Sequence, residues 1–180
     1  MSPISADFQQ DFFHLFDLPG RFDVDTAMLD QRYRALQMQV HPDKFAHLSD
    51  AERLLSMQWS TRVNEAYQTL RSPLARGRYL LSLRGVDTKE ETNTAMPVEF
   101  LMQQMEWREA LEEAKQTQGS TELEALEQRV RQETRALQVQ LGMQIDEMHD
   151  YNAASGSVRK LRFLEKLTEE IASAFDDIES

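Results

Sequence analysis

The sequence predicts an all-α protein in two parts: a small N-terminal helical domain built on a helical hairpin, then a C-terminal three-helix bundle. Three observations predict it. Apolar residues recur at three- and four-residue intervals along most of the 180 residues. No stretch of useful length alternates as a half-buried strand would. Pro19-Gly20, Pro42, Pro73, Gly85, Pro97 and Gly119 stand where the stripes break.

Along the chain, Asp7 to Phe16 reads as a short first helix rich in Phe, ended by Leu18-Pro19-Gly20. Its His14, flanked by Phe13 and Leu15, reads as structural. Asp25 or Thr26 is the expected N-cap of a second helix running to about Val40, with Leu29, Tyr33, Leu36 and Val40 on one face. A polar loop covers about 41–49. Ser49 or Asp50 starts a third helix to about Leu70, striped by Leu55, Trp59, Val63, Ala66, Tyr67 and Leu70. Two apolar stripes joined by a short polar loop are an antiparallel hairpin. Ser72-Pro73 breaks the pattern before a helix at about 73–84 that carries Leu74, Tyr79, Leu80, Leu81 and Leu83. The boundaries read as 1–75 for the first domain, 76–96 for a connecting helix and polar linker, and 97–180 for the bundle.

In the bundle, Pro97 suits the start of a helix that continues to about Thr117, and Gly119-Ser120 is a stop followed by a start. The next helix spaces Leu123, Leu126, Val130, Leu137, Leu141, Ile145 and Met148 for one face, with a bend or close packing expected at Gly142. The last helix, starting within 150–157, buries Leu161, Leu164, Leu167, Ile171, Phe175 and Ile178.

Composition narrows the function. The chain has no run of eighteen apolar residues, so no membrane span is expected, and no Lys or Arg in the first twenty residues, which argues against a secretory or transit leader. With no Cys there is no thiolate chemistry or Cys-based metal site, and four scattered His suggest no metal site and no cofactor. Cytoplasmic residence is the simplest expectation. Residues 1–84 hold ten Lys/Arg and ten Asp/Glu; residues 85–180 hold ten and twenty-one, and so carry the whole charge of −11. An acidic half argues against nucleic acid and is compatible with a basic protein partner.

The loop between the second and third helices contains His41-Pro42-Asp43, followed by Lys44-Phe45. Pro42 lacks an N–H and would clash with the preceding turn, so the helix must stop by His41. An imidazole and a carboxylate held at a stiff bend make a compact polar probe for docking. The same pair could act as a general acid–base dyad, but catalysis needs a pocket and further groups, and no Ser, Cys or Gly-rich element is arranged to complete one. No catalytic residue is expected.

The helix from Pro97 has more apolar surface than a core requires. At about 100° per residue, Phe100, Trp107, Leu111 and Ala114 share one face. Leu101, Met102 and Met105 lie on another with Glu106, Glu109 and Glu113, all six within about 140° of arc. This face reads either as packing against the first domain or a neighbouring helix, or as a partner site in which adaptable Met side chains are ringed by carboxylates that steer a basic protein. Phe163 stands at the border of the last helix's core stripe, able to join core or patch.

The helix–HPD–helix pattern resembles a J-domain, the module that switches on chaperone ATPases. Taken with Phe13-His14-Leu15-Phe16-Asp17-Leu18-Pro19, Leu70-Arg71-Ser72-Pro73-Leu74, Tyr79-Leu80-Leu81-Ser82-Leu83-Arg84-Gly85, Phe100-Leu101-Met102 and Arg159-Lys160-Leu161-Arg162-Phe163-Leu164, nearly the whole chain is similar to the HscB family, the J-type co-chaperones of iron–sulfur cluster assembly, in its bacterial form. The resemblance implies a roughly L-shaped molecule without enzymatic activity. It implies that His41, Pro42, Asp43 and Lys44, with Arg32 and Arg34 on the second helix, engage an HscA-type chaperone ATPase. It implies that Leu101, Met102, Met105, Glu106, Glu109, Glu113 and Phe163 hold an IscU-type scaffold protein as client. J-domains often carry Lys or Arg just before the loop, where this chain has Gln37, Met38 and Gln39, so Arg32, Arg34 and Lys44 must supply most of the charge. A J-domain adaptor serving another client or another chaperone ATPase is the alternative.

Overall fold

The computed structural model describes residues 8–47, 49–92 and 95–179, the side chains of Pro42 and Glu179 apart. The helices are α1 (Phe12–Leu15), α2 (Thr26–Val40), α3 (Asp50–Arg71), α4 (Pro73–Leu83), α5 (Val98–Thr117), α6 (Ser120–Gly142) and α7 (Tyr151–Glu179), with a 3₁₀ turn at Pro42–Phe45 and a π turn at Met143–Glu147. No strand occurs among the described residues. The chain divides into two compact units, Met1–Leu80 and Leu81–Ser180.

In the first unit α2 and α3 pair, and α1 packs on α3. The N-cap of α2 is Asp25, whose carboxylate accepts the Met28 N–H at 3.0 Å. α3 opens with a capping box: the Glu52 N–H reaches the Ser49 hydroxyl, and the Ser49 N–H reaches the Glu52 carboxylate at 3.0 Å. Leu29 and Val40 of α2 and Trp59, Val63, Ala66 and Leu70 of α3 are the buried apolar residues of the hairpin. Tyr33 and Tyr67, expected simply as members of the apolar stripes, stack at 3.9 Å with hydroxyls directed to polar partners: Tyr33 donates to Asn64 and Tyr67 to Asp30. The hydrogen bond to Asp30 is the main reason the Tyr67 phenol is pushed above its usual range.

The first helix is shorter than expected. Asp7 lies outside the described residues, and α1 starts only at Phe12 because Asp11 is its N-cap, accepting the His14 N–H at 2.9 Å. Although burial raises the Asp11 pKa, the His14 amide and ring hold the carboxyl below its ordinary range. Phe12 and Phe13 are buried, and Phe12 stacks on Tyr79 of α4 at 4.5 Å.

In the second unit α6 packs against both α5 and α7, and α5 also touches α7. The chain turns from α5 to α6 through Gln118, whose left-handed backbone (φ 50°) lets the Gly119 N–H reach the Ala114 carbonyl at 3.0 Å. The expected irregularity at Gly142 takes the form of the π turn that follows it. That turn carries an extra residue, which rotates the register. Gln144 is therefore buried, accepting the Ser157 hydroxyl at 2.8 Å, while Met148, expected on the core face, is 62 % exposed. The buried face of α7 includes Leu161, Leu164, Leu167 and Ile171; Phe175 and Ile178, expected with them, are only half-buried. Leu83, expected with the apolar residues of α4, is exposed.

The segment joining α4 to α5 includes Asn93 and Thr94, which lie outside the described residues. Its first part is tied to α7: Arg159 donates to the Thr88 carbonyl at 3.0 Å, and the buried Ser155 hydroxyl reaches the same oxygen at 3.4 Å.

Candidate functional site

The first candidate site is the bend after α2. Val40 is fully buried and is followed by His41 in an extended conformation (φ −60°, ψ 129°), which Pro42 converts into a 3₁₀ turn. The Lys44 N–H closes that turn on the His41 carbonyl at 3.0 Å. His41 Nδ1 lies 3.3 Å from the Asp43 amide and 3.4 Å from the Asp43 carboxylate. It serves one or the other according to protonation, as acceptor when bare and as donor when protonated. The Asp43 side chain is 90 % exposed and that of His41 about half exposed, so the carboxylate stands largely in solvent. Gln37, Met38, His41, Asp43 and Lys44 line one open depression.

What holds the bend is a residue the sequence reading passed over. The Ser56 hydroxyl, fully buried on α3, donates to the Val40 carbonyl at 2.7 Å. It pins the last residue of α2 immediately before His41. The signal was present: Ser56, Trp59, Val63, Ala66 and Leu70 form one 3–4 stripe, and a serine at a core position needs a partner.

The basic residues of α2 have different surroundings. Arg34 is exposed. Arg32 is half-buried and donates to the Phe16 carbonyl at 2.6 Å and to the Asp17 carbonyl, with the Asp17 carboxylate 3.0 Å away. Asp17 itself has a left-handed backbone (φ 50°) at the end of α1. Arg32 is thus committed to tying α2 to the carbonyl end of α1.

The second candidate site is the outer face of α5. Phe100, Trp107, Leu111 and Ala114 point into the bundle and are at most 5 % exposed. Leu101, Met102 and Met105 are 41, 60 and 63 % exposed. Glu106, Glu109 and Glu113 are also exposed, and among the described residues none forms an ion pair. Within its own unit this face is uncovered. Phe163 of α7 is half-buried in an aromatic cluster, edge-on to Phe100 at 5.8 Å and stacked on Trp107 at 6.2 Å. The Arg108 guanidinium lies 5.6 Å from its ring centre and is paired with Glu170. Phe163 therefore belongs to the core by its ring contacts while keeping part of its surface in solvent.

Among the described residues no group of three or more His, Asp or Glu could hold a metal, and no helix is long and apolar enough to cross a membrane. Neither site forms a closed pocket with a nucleophile and a base. The first is an open depression and the second an exposed helix face.

Known proteins are similar to this chain in sequence and fold. Residues 96–172 match the family model described as the HSCB C-terminal oligomerisation domain. A co-chaperone protein HscB homolog of Aromatoleum aromaticum is 54 % identical over 177 residues, 98 % of this chain and all of that relative. Among solved structures, the chaperone HscB from Vibrio cholerae superposes with a TM-score of 0.83 at 37 % identity, covering 94 % of this chain and 99 % of that one. The human co-chaperone protein HscB gives a TM-score of 0.88 at 36 % identity, over 93 % of this chain and 83 % of the other.

Proposed function

The chain belongs to the HscB family of co-chaperones, and from that premise we propose that it works as a two-handed adaptor in iron–sulfur cluster assembly. The HPD bend docks on an HscA-type chaperone ATPase and stimulates its ATP hydrolysis. The outer face of α5 holds an IscU-type scaffold protein and presents it to that ATPase. The observation that carries the reading is the pairing of two exposed surfaces on two separately built units. One is a polar probe pinned from behind by Ser56; the other is an apolar strip with three unpaired carboxylates.

No bond is made or broken by this chain. To stimulate hydrolysis it must bind one conformational state of the ATPase more tightly than another. Holding the client on the same polypeptide raises the client's effective concentration at the ATPase without any new contact. Asp43, His41 and Lys44 supply the probe, with Arg34 as the exposed cation of α2. Arg32 contributes by orienting α2 against α1, because its guanidinium is already engaged. The glutamates of α5 favour a client with a basic docking surface.

The test of the first hand is steady-state ATP hydrolysis by HscA with IscU present. Asp43→Ala should abolish the stimulation and leave the fold intact, since that side chain is almost fully solvated. Full stimulation by this variant would refute the role of the bend. For the second hand, Leu101 has about two-fifths of its surface left to bury. Complete burial of a leucine is worth about 1.5–3 kcal/mol, so Leu101→Ala should cost about 0.6–1.2 kcal/mol, roughly three- to eightfold in client Kd. Unchanged client affinity would refute the patch.

A further inference from the structure

This chain contains no cysteine, so its oxidisable sulfur is all methionine thioether. Of nine methionines, eight lie in described residues: seven are exposed and the eighth, Met96, is half-buried. The buried hydrophobic core holds none of them; it is built from Leu, Ile, Val, Phe, Trp and Ala. Oxidation of methionine usually damages a protein by placing a polar sulfoxide in its interior. Here the fold has no such weak point among the described residues.

We propose that Met102 and Met105 form a reversible oxidation site that controls client binding, a proposal that rests on the reading of the α5 face as the client surface. Both residues are more than half exposed and stand in the apolar strip itself, beside Leu101. The oxidant is a hydroperoxide. The sulfur lone pair attacks the terminal oxygen, the O–O bond breaks and an S–O bond forms. The remaining oxygen leaves with the proton as water or an alcohol. Sulfur loses two electrons and the peroxide gains them. A neutral peroxide is not repelled by Glu106 and Glu109, one helical turn beyond Met102 and Met105. The product turns a flexible apolar side chain into a polar one whose S–O dipole must be desolvated on docking. Reduction of the sulfoxide by a dithiol, with release of water and a disulfide, restores the surface.

The experiment treats the full-length chain with hydrogen peroxide and removes the excess with catalase. It maps the sulfoxides by peptide mass spectrometry and measures affinity for an apo IscU-type scaffold. Each protein is compared with itself before and after treatment. The wild-type chain should lose about tenfold or more in affinity, the scale of desolvating one polar group. It should keep its circular dichroism and melting midpoint, and recover on treatment with methionine sulfoxide reductases. Met102→Leu/Met105→Leu, whatever its starting affinity, should not change on treatment. Unchanged affinity with both residues oxidised overturns the proposal. So does an equal loss in the double-leucine variant, or loss of the fold on oxidation. Leu101→Ala, measured without peroxide, separates the two readings. If it weakens binding while the sulfoxides are silent, only the redox control fails; if it has no effect, the client surface fails and the redox control with it.

Discussion

Replacing Ser56 by alanine tests whether the bend acts as a rigid probe or merely as a set of exposed side chains. The change removes one oxygen from a fully buried position and leaves the Val40 carbonyl, on an equally buried residue, without its 2.7 Å donor. Leaving a buried acceptor unpaired costs about 1–3 kcal/mol. For a unit of this size the melting midpoint should fall by at least about 4 °C. The two tryptophans allow the unit to be followed on its own, because Trp59 is buried in the first and Trp107 in the second. In a Trp107→Phe background, urea unfolding read from Trp59 reports the loss directly. The second consequence is functional. With the end of α2 no longer pinned, His41 and Asp43 sample more positions, and stimulation of the ATPase should fall although every exposed residue is intact. Leu70→Val is the control. It lies on the same helix about 21 Å further along and removes a methylene from the core at a cost of about 1 kcal/mol. Assayed well below its midpoint, it should stimulate normally. If Ser56→Ala unfolds at the wild-type urea concentration and stimulates fully, the pinning argument is wrong.

Other consequences can be checked in the same protein. Hydrogen bonds from the Ser49 hydroxyl and amide hold the Glu52 carboxyl below its ordinary pKa, so its contribution to stability is present above the ordinary value of 4.5 and is lost as pH falls through the depressed one. An NMR titration should put the Glu52 midpoint below that of free glutamate, and Glu52→Gln should flatten the acid limb of the first unit's stability curve. Arg159→Ala should remove about 1–2 kcal/mol from the second unit and speed amide exchange around Thr88, whose carbonyl it holds; unaltered exchange would mean that segment is held by other contacts.

The hairpin and its signature were legible because they depend on spacing alone. Period and a proline predict where α2 stops, and the inner face of α5 follows from angles on a helix. The misreadings have a common source in contacts between residues far apart in sequence or in local competition for hydrogen bonds. α1 begins late because an Asp eleven residues in captures the amide of His14. The register of Met148 fails because a π turn cannot be seen in a pattern read at 3.6 residues per turn. Arg32 has the same charge as Arg34, and nothing in the pattern reveals that the chain end of α1, some sixteen residues earlier, folds back to take its guanidinium. The surplus face of α5 was found by subtraction, and it stands exposed within its unit because α5 meets α6 and α7 only through its other side.

That subtraction also explains why folding and docking are separable here, with one exception. The four inward residues of α5 hold the bundle together, and the outward Met102 and Met105 are more than half exposed. Truncating Met102 or Met105 removes little from the folded state, so a change in client affinity there reports docking. Phe163 does not obey this division. Its ring stacks on Trp107 and meets Phe100, while the Arg108 guanidinium, paired with Glu170, lies over the ring. Half of the usual 3–5 kcal/mol for a phenylalanine truncation, about 2 kcal/mol, should appear in the stability of the bundle itself. Part of any loss of client affinity in Phe163→Ala is then the cost of a loosened α5–α7 seam, transmitted to residues that never touched the mutated side chain. Phe163→Leu, which keeps most of the volume, separates the two: if it restores the unfolding midpoint but not client affinity, the aromatic surface itself makes the contact, and if it restores both, Phe163 acts by supporting α5.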